Sequence, residues 1–421
     1  MGEKRNVIYA QSGGVTTVIN TSACGVIETV REHLDRFGKI YAGLHGIIGI
    51  LQEELIDVDQ ESDEAIAGLR YTPGGAFGSC RYKLKSLEES RREYERLIEV
   101  FDAYDIGYFF YNGGGDSADT CYKVAQLAEK LGYPIQAIHV PKTMDNDLPI
   151  TDCSPGFGSA AKYVAVSTRE VHYDVASTFT TSTRVFILEV MGRHAGWTAA
   201  AAGLASTPED PIPLLILFPE IPFEEDRFLA KVDEKVREAG YCIVVASEGI
   251  RKPDGSLVSE MGTRDAFGHA QLGGVAPRLA EIVRGRLGYK FHFAVSDYLL
   301  RAARHLSSKV DVEQAYAVGQ AAVEFALQGK NAVMPAIRRL SDNPYRWEIV
   351  EAPLSEVANV EKKMPRTFIS EDGFGITEAC RRYMQPLIEG EDFPPFERGL
   401  PRYTRLKRVM VEKRLPEFKV V

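Results

Sequence analysis

Short apolar runs alternate with helical patterns along most of the chain. The runs contain few polar interruptions, which is typical of strands buried on both faces of a parallel sheet. Between them, polar and apolar residues recur with the helical period, as in LEESRREYERLIEVFDAY. Repeated strand–helix–strand units favour a doubly wound α/β architecture. The predicted strands are NVIYAQ, KIYAGL, IGYFFYN, IQAIHV, RVFILEV, PLLILFP and YCIVVAS.

Polar or glycine-rich loops follow five of these strands. In doubly wound sheets, ligands bind at the carboxyl ends of the strands. We therefore expect the five loops to contribute to one composite site. They are QSGGVTT, NGGGDS, PKTMDND, MGRHAG and SEGI.

The composition is that of a globular enzyme. The 421 residues carry a formal net charge of −9 without a long Lys/Arg run, which argues against nucleic acid or an anionic membrane as a partner. Six scattered cysteines form no CxxC pair, so we expect reduced thiols rather than disulfides or a zinc site. No apolar run approaches the ~20 residues of a membrane span, and MGEKRNVIYA lacks an apolar signal core. We expect a cytoplasmic protein.

The loop PKTMDND concentrates the strongest candidate chemistry. It places Lys142, Thr143, Asp145 and Asp147 within six residues, directly after a buried strand. Two carboxylates and an ammonium group can supply a base, a second acid beside a metal ion and a phosphate clamp. The alternative interpretation is a polar turn closed by a salt bridge.

The two preceding loops resemble phosphate cradles. Gly13 and Gly14 lie at a strand-to-helix turn, where free amides and a helix N-terminus suit an anion, although a simple tight turn is equally compatible. In NGGGDS, three glycines allow close backbone approach, yet Asp116 puts a negative charge where an anion would dock.

Charged residues in the second half of the chain suggest a further anion site. Arg193 can form a fork onto a phosphate, and Glu248 follows another strand. Tyr298 and Arg301 are spaced i, i+3, on one helical face. Arg184 precedes the strand that Arg193 follows, so a neighbouring subunit would have to bring it to the same ligand. Each of these residues is also compatible with an ordinary surface contact.

The loops in this order resemble the phosphofructokinase family over about residues 6–330. The resemblance rests on SGG, GGxxS, PKTxDxD, MGR, SEG and GH taken together. ATP-using members of the family carry glycine at the position of Asp116, whereas pyrophosphate-using members carry aspartate there and lysine at the position of Lys142. The chain is therefore similar to the pyrophosphate-using branch.

The resemblance implies a reaction. The expected enzyme phosphorylates fructose 6-phosphate at its 1-hydroxyl with pyrophosphate, reversibly and with Mg²⁺, as a homodimer or homotetramer. It implies two Rossmann-like α/β lobes with mostly parallel sheets and the active site in the cleft between them. The segments would be a phosphoryl-donor lobe (about 1–150), a sugar-phosphate lobe (about 151–330) and a covering segment (331–421). The last is rich in Pro and charge from about 340, and we expect it to be irregular.

The resemblance also assigns roles. Asp145 would accept the proton of the 1-hydroxyl, Lys142 would stabilise the transferring phosphoryl group, and Asp116 would act beside them and as a metal ligand. The implied diphosphate-binding positions are Gly14, Arg81, Gly115 and Lys142. The implied sugar-phosphate positions are Thr143, Asp145, Asp147, Met191, Gly192, Arg193, Glu248, Tyr298 and Arg301, with Arg184 and His269 donated by a neighbouring subunit.

One departure keeps two alternatives open. Gly115 stands where the family usually has a metal-associated aspartate, so the metal would depend on Asp116, Asp147, water or the pyrophosphate itself. The alternatives are an ATP-dependent 6-phosphofructokinase, against which Asp116 and Lys142 argue, and a catalytically silent regulatory subunit that binds sugar phosphates. The presence of Asp145 argues against the silent subunit.

Overall fold

The structure, a computed structural model, describes residues 4–264, 270–272 and 274–420, and the side chains of 260–264 and 270–272 are not included. The strands are β1 (Arg5–Gln11), β2 (Phe37–Gly43), β3 (Leu55–Asp57), β4 (Ile106–Gly113), β5 (Gln136–Pro141), β6 (Val185–Val190), β7 (Leu214–Leu217), β8 (Cys242–Ser247), β9 (Glu260–Arg264), β10 (Ala270–Leu272), β11 (Phe291–Val295), β12 (Val333–Asp342), β13 (Tyr345–Pro353), β14 (Phe396–Glu397) and β15 (Leu400–Pro401). The α-helices are α1 (Ile19–Glu32), α2 (Ile47–Leu51), α3 (Asp63–Gly68), α4 (Arg91–Ala103), α5 (Gly115–Leu131), α6 (Phe157–Thr178), α7 (Trp197–Ala200), α8 (Glu225–Ala239), α9 (Val275–Leu287), α10 (Leu299–Ala302), α11 (Lys309–Leu327), α12 (Leu354–Val357) and α13 (Glu378–Met384).

The chain divides into two compact units. The first contains the residues up to Gly156, Ala302–Lys362 and the residues from Gly390 on. The second contains Phe157–Arg301 and Lys363–Glu389. The units differ from the segments expected from the sequence, because 302–330 belongs to the first unit and the C-terminal segment is shared between both.

The first unit is built on a seven-stranded sheet in the order β13-β12-β5-β4-β1-β2-β3. The central strands pair in parallel, and only the two edge strands, β13 and β3, pair antiparallel. Each predicted strand in this unit is confirmed. The apolar runs lie at the centre of the sheet, as expected for strands covered on both faces.

The second unit is built on an all-parallel four-stranded sheet in the order β11-β6-β8-β7. The predicted runs RVFILEV, PLLILFP and YCIVVAS form β6, β7 and β8. The α/β class with mostly parallel sheets is therefore confirmed.

Helix α11 explains why 302–330 belongs to the first unit. A Cβ atom on Gly25 of α1 would lie 2.4 Å from the Tyr316 carbonyl oxygen, and one on Gly319 would lie 2.3 Å from the Ser22 carbonyl oxygen. Only glycine at both positions allows the two helix backbones to approach this closely. The contact joins helices far apart in sequence, so a local pattern does not reveal it.

The expectation of an irregular segment from about 340 is wrong for 345–353. These residues form β13, which pairs with β12 over nearly its whole length. Strand β13 lies at the sheet edge and is mostly half-buried or exposed. Its charged residues are therefore compatible with a strand, because an edge strand can face water.

A C-terminal strap, residues 403–420, is held against the first unit by a buried carboxylate. The strap extends the edge of the sheet, since Asp57 N donates to Val409 O at 2.9 Å. Glu53 is 1% exposed and accepts hydrogen bonds from Arg96 at 3.1 Å, from the Tyr104 hydroxyl at 2.9 Å and from Arg414 N at 2.8 Å. Glu53 thus joins helix α4 to the strap.

We expect Glu53→Ala to lower the free energy of unfolding by about 3–5 kcal/mol, because the buried Arg96 guanidinium loses its buried counter-charge and keeps only the more distant and more exposed Glu99, at 3.6 Å. Urea unfolding followed by circular dichroism measures the change. Glu417→Ala, an exposed carboxylate in the same strap, is the control and should shift the midpoint little. Equal midpoints for the two variants would contradict the assignment.

Two further observations concern the cysteines and the helices. All six cysteines are free thiols, and five of them are buried. Within the part of the chain that the structure describes, no helix combines the length and apolar character needed to cross a membrane.

Candidate active site

Three of the five predicted loops lie at one end of the sheet in the first unit. Strands β1, β4 and β5 are parallel neighbours, so three segments begin at the same edge: the first loop (12–17), the second loop, which runs from 114 into the first turn of α5 (114–117), and the third loop (142–156). Backbone hydrogen bonds fix the starts of these loops, with Ser12 N donating to Asn112 O at 2.8 Å and Lys142 N to Gly113 O at 2.9 Å.

Lys142 links the third loop to the first. Its side chain is buried, and Nζ donates to the Gly14 carbonyl oxygen at 2.6 Å. Gly13, with φ of 74°, lies beside the same ammonium group, since a Cβ atom there would be 3.5 Å from Nζ. The ammonium group therefore lies beside the turn at Gly13 and Gly14, where it would stabilise a bound anion.

The imidazole beneath Lys142 is neutral. His139 lies on β5 and is fully buried, and this burial, aided by the charge of Lys142, lowers its pKa to about 3. Lys142 is therefore the positive charge at this point of the site.

Asp145 and Asp147, in the first part of the third loop, have different surroundings. Asp145 is half-buried, and its backbone N–H donates to Thr143 Oγ1 at 3.1 Å. Asp147 is also half-buried as a residue, but its Oδ1 atom is enclosed, and burial of the carboxyl raises its pKa above the usual range. Between them, Asn146 has a left-handed backbone, with φ of 54°. The turn thus places two half-buried aspartates close in sequence, and one oxygen of Asp147 is enclosed.

The second loop leaves space where an acid was expected. A Cβ atom on Gly113 would lie 2.1 Å from Ser117 Oγ, so glycine is required there, but one on Gly115 would meet nothing within 4 Å. Crowding at the Cβ position therefore does not require glycine at 115. Asp116 is 69% exposed and forms an ion pair with Lys83 at 2.6 Å.

A further segment of the first unit joins this edge. Gly13 N donates to Cys80 O at 2.9 Å, and Ser79 Oγ donates to Gly13 O at 2.7 Å. These bonds hold the chain that carries Arg81 and Lys83, both exposed, beside the first loop. Sequence reasoning singled out Arg81 and missed Lys83, although it lies only two residues further along.

In the second unit, the fourth loop (191–196) and fifth loop (248–250) follow the neighbouring strands β6 and β8. Gly192 has φ of 142°, and a Cβ atom there would lie 2.8 Å from Ala195 O. The Gly192 carbonyl accepts a hydrogen bond from Ser247 Oγ at 2.5 Å, and a Cβ atom on Gly249 would lie 2.2 Å from Arg193 O. This tight packing places Met191, Gly192, Arg193 and Glu248 together at the carboxyl ends of the strands.

Tyr298 and Arg301 lie together after β11, the strand next to β6. The guanidinium carbon of Arg301 is 3.7 Å from the centre of the Tyr298 ring. Tyr298 is 60% exposed, so the stacked pair presents a cation and a phenol at the surface.

One predicted residue is not brought to these clusters, and another falls outside the described part of the chain. Arg184 lies at the opposite, amino end of β6, where Nε donates to Gly240 O at 3.0 Å and the guanidinium packs over Tyr289. His269 lies outside the described residues. Their assignment to a neighbouring subunit's site stays a prediction.

The chain's own residues fit a metal ion that arrives with its substrate. Among the described residues, no three His, Cys, Asp or Glu side chains cluster as a ready-made cation site. In the third loop, one carboxylate oxygen lacks a partner: Asp147 Oδ1 is buried without a hydrogen bond from any described group. Mg²⁺ is commonly held by one or two carboxylates together with substrate phosphates, and Asp147 with Asp116 could provide them.

The comparisons with known proteins agree over nearly the whole chain. A family model described as Phosphofructokinase matches residues 6–326. The pyrophosphate–fructose 6-phosphate 1-phosphotransferase of Methylococcus capsulatus is 69% identical over 98% of this chain and 98% of its own length. The protein of that name from Halomonas elongata is 66% identical over 99% and 100%, respectively. The crystal structure of pyrophosphate-dependent phosphofructokinase from Nitrosospira multiformis has a TM-score of 0.92 at 64% identity, covering 99% of this chain and 100% of that one.

Proposed function

The chain belongs to the phosphofructokinase family, and on that premise we propose that it transfers a phosphoryl group between pyrophosphate and the 1-hydroxyl of fructose 6-phosphate. The products are fructose 1,6-bisphosphate and phosphate, and the reaction is reversible. The observation that carries the proposal is the presence of Lys142 and Asp116 in the loops that follow the neighbouring strands β5 and β4, in a chain 69% identical to a relative named for this reaction.

Asp145 and Lys142 are assigned the chemistry. Phosphoryl transfer needs little covalent work from a protein and depends on alignment and on charge stabilisation. Asp145, half-buried in the third loop, accepts the proton of the attacking 1-hydroxyl. Lys142, fixed on the Gly14 carbonyl, stabilises the negative charge of the moving phosphoryl group.

Asp116 is assigned the choice of donor. Its exposed carboxylate stands after the glycine turn that Gly113 and Gly114 form. A nucleotide would place its α-phosphate beside this negative charge, whereas pyrophosphate ends before it. Lys83, paired with Asp116, offsets part of the repulsion between the carboxylate and the pyrophosphate itself. Gly14, Gly115 and Arg81 are assigned to pyrophosphate binding.

The second unit is assigned the sugar phosphate. Its clusters offer a guanidinium at Arg193, a carboxylate at Glu248 and the stacked pair of Tyr298 and Arg301. Cations suit the 6-phosphate, and carboxylate and backbone groups suit the sugar hydroxyls. The remaining sugar-phosphate assignments are Thr143, Asp147, Met191 and Gly192, with Arg184 and His269 from a second copy.

Mg²⁺ is the proposed metal. When bound, it would neutralise charge on the phosphates during transfer. Asp147, with its unpartnered buried oxygen, and Asp116 would hold it, with the pyrophosphate oxygens completing its coordination.

The assembly and compartment are proposed on separate grounds. Two observations support a homodimer or homotetramer. Arg184 lies at the opposite end of β6 from Arg193, and the edge strand β11 exposes Phe293 and Val295. A cytoplasmic location is supported by six free thiols, which a reducing compartment preserves.

A donor panel on the purified chain tests the proposed function. Pyrophosphate, ATP and polyphosphate are each supplied with fructose 6-phosphate, and product is measured by a coupled assay in both directions. We expect turnover with pyrophosphate in both directions. Turnover with ATP alone would support an ATP-dependent enzyme, and no turnover with any donor would support a regulatory subunit.

Removal of divalent metal is expected to abolish turnover with pyrophosphate. The phosphates would then keep their full charge, and the carboxylates of Asp116 and Asp147 would repel them. The measurement is the initial rate after chelation, followed by titration with Mg²⁺, which should restore it. Full activity in excess chelator would exclude the metal requirement.

A further inference from the structure

Lys362, which sequence reasoning did not single out, contacts the third loop at several points. We propose that Lys362 is a positioning residue that sets the conformation of the third loop, and thereby the placement of Asp145 and Asp147. This inference rests on the proposed function of those two carboxylates. Lys362 follows α12 and belongs to the first unit, as does the loop.

The contacts of Lys362 span the loop. Its Nζ donates to Asn146 Oδ1 at 3.2 Å, to Thr151 O at 3.1 Å and to Asp152 O at 2.8 Å. Its backbone N–H donates to Asp147 O at 2.6 Å. One residue thus binds the stretch between the two aspartates and also the end of the turn.

The loop needs such support because its backbone is unfavourable. Asn146 and Ile150 both have left-handed backbones, with φ of 54° and 67°. Non-glycine residues in this region persist only where surrounding contacts determine them. The Asn146 side chain supplies some of these contacts, since its Oδ1 accepts from both Lys362 Nζ and Ser154 N.

Other anchors hold the two ends of the loop. Lys142 is bonded to Gly113 and Gly14 at the near end, and a second set of bonds acts at the far end. Arg339 pairs with the Asp152 carboxylate at 3.0 Å, and Asp152 N donates to Ile337 O at 2.8 Å. These bonds attach 152 to strand β12 but do not reach the aspartates. Lys362 extends the same attachment to Asn146 and Asp147, so its loss should release the reacting part of the loop while the end stays attached.

We expect Lys362→Met to lower kcat by about 10–100-fold, since small misplacements of reacting groups cost up to about 10²-fold. The KM for fructose 6-phosphate should change less than about twofold, because that substrate is bound chiefly by the second unit. Lys362→Arg, which keeps a cation with several donors, should recover kcat to within about tenfold of the unaltered enzyme. Lys363→Met, an exposed neighbour, is the matched control and should be unchanged.

Hydrogen–deuterium exchange gives a readout that does not depend on activity. Lys362→Met should speed exchange in peptides covering 143–153 and leave β1 and β4 protected. Unchanged kcat and exchange would overturn the proposal. So would equal loosening of the whole first unit, because Lys362 would then only stabilise the fold. Should the methionine variant fail to fold, Lys362→Gln, which keeps a donor, is measured in the same way and should show a smaller loss.

Failure of the proposed function gives a different result. If the unaltered chain turns over no donor, the assignment of Asp145 as a base fails. The exchange comparison would still decide whether Lys362 holds the loop.

Discussion

Replacing Asp145 with asparagine is expected to lower kcat by roughly 10²–10⁴-fold in both directions, the usual contribution of a positioned general base. Asparagine keeps the shape and the backbone hydrogen bond from residue 145 to Thr143 Oγ1. It removes the only property the assignment requires, the ability to accept the proton of the 1-hydroxyl. Coupled assays of fructose 1,6-bisphosphate formation and of the reverse reaction measure the effect.

The pattern of constants separates loss of the base from loss of binding. The KM values for pyrophosphate and fructose 6-phosphate should stay within a few-fold, because neither depends on proton transfer. Asp35→Asn, an exposed carboxylate in the same unit, controls for a change in net charge. An Asp145→Asn enzyme with kcat within about threefold of the unaltered one would show that another group accepts the proton.

The sequence predicts the strands and turns of this site well, because each of them depends on residues that are close together in the chain. Each strand that ends at the site is a short apolar run, and its burial in a parallel sheet requires that composition. Where β4 and β5 end, the chain must turn, so the glycines before Asp116 and the polar residues around Asp145 mark the turns directly. Parallel neighbours then bring these turns to one edge without any further information.

Contacts between distant segments account for what the sequence does not predict. Lys83 becomes part of the site only because Cys80 pairs with Gly13. Lys362 lies more than 200 residues after the third loop in the sequence, beyond α11 and β13. Nothing in the surrounding sequence, NVEKKMP, distinguishes it from the exposed Lys363. The close packing of Gly25 on α11 likewise decides where 302–330 folds. In each case the signal lies in a tertiary contact rather than in a period or motif.

Position 115 has glycine where the family resemblance leads us to expect an aspartate. The sequence suggested a missing acid, and the structure adds that a Cβ atom there would meet nothing within 4 Å. The glycine is therefore not imposed by crowding. Asp147 Oδ1, buried and unpartnered among the described residues, is the carboxylate oxygen to which our proposal assigns the metal instead.

The double replacement Asp116→Gly with Lys142→Gly is expected to lower kcat/KM for pyrophosphate by at least about 10²–10³-fold, the cost of removing one preorganised stabiliser of developing charge. Lys142 supplies that charge at a fixed point, since it is buried and bonded to the Gly14 carbonyl. The same variant should gain measurable turnover with ATP. Removing the Asp116 carboxylate clears both the space and the negative charge that oppose a nucleotide's α-phosphate. The measurement is kcat/KM for each donor, at saturating fructose 6-phosphate and Mg²⁺.

The single variants assign the two effects to the two residues. Asp116→Gly alone should weaken pyrophosphate use less and admit ATP first, because repulsion is removed while the cation stays. Lys142→Gly alone should lose pyrophosphate use without gaining ATP, since the carboxylate remains. Lys83→Met is the matched control for charge: it removes the partner of Asp116 but keeps the carboxylate, so ATP should still be rejected.

A double variant that retained full pyrophosphate activity would contradict both assignments. If Lys83→Met accepted ATP, the ion pair rather than the carboxylate would determine which donor the enzyme uses.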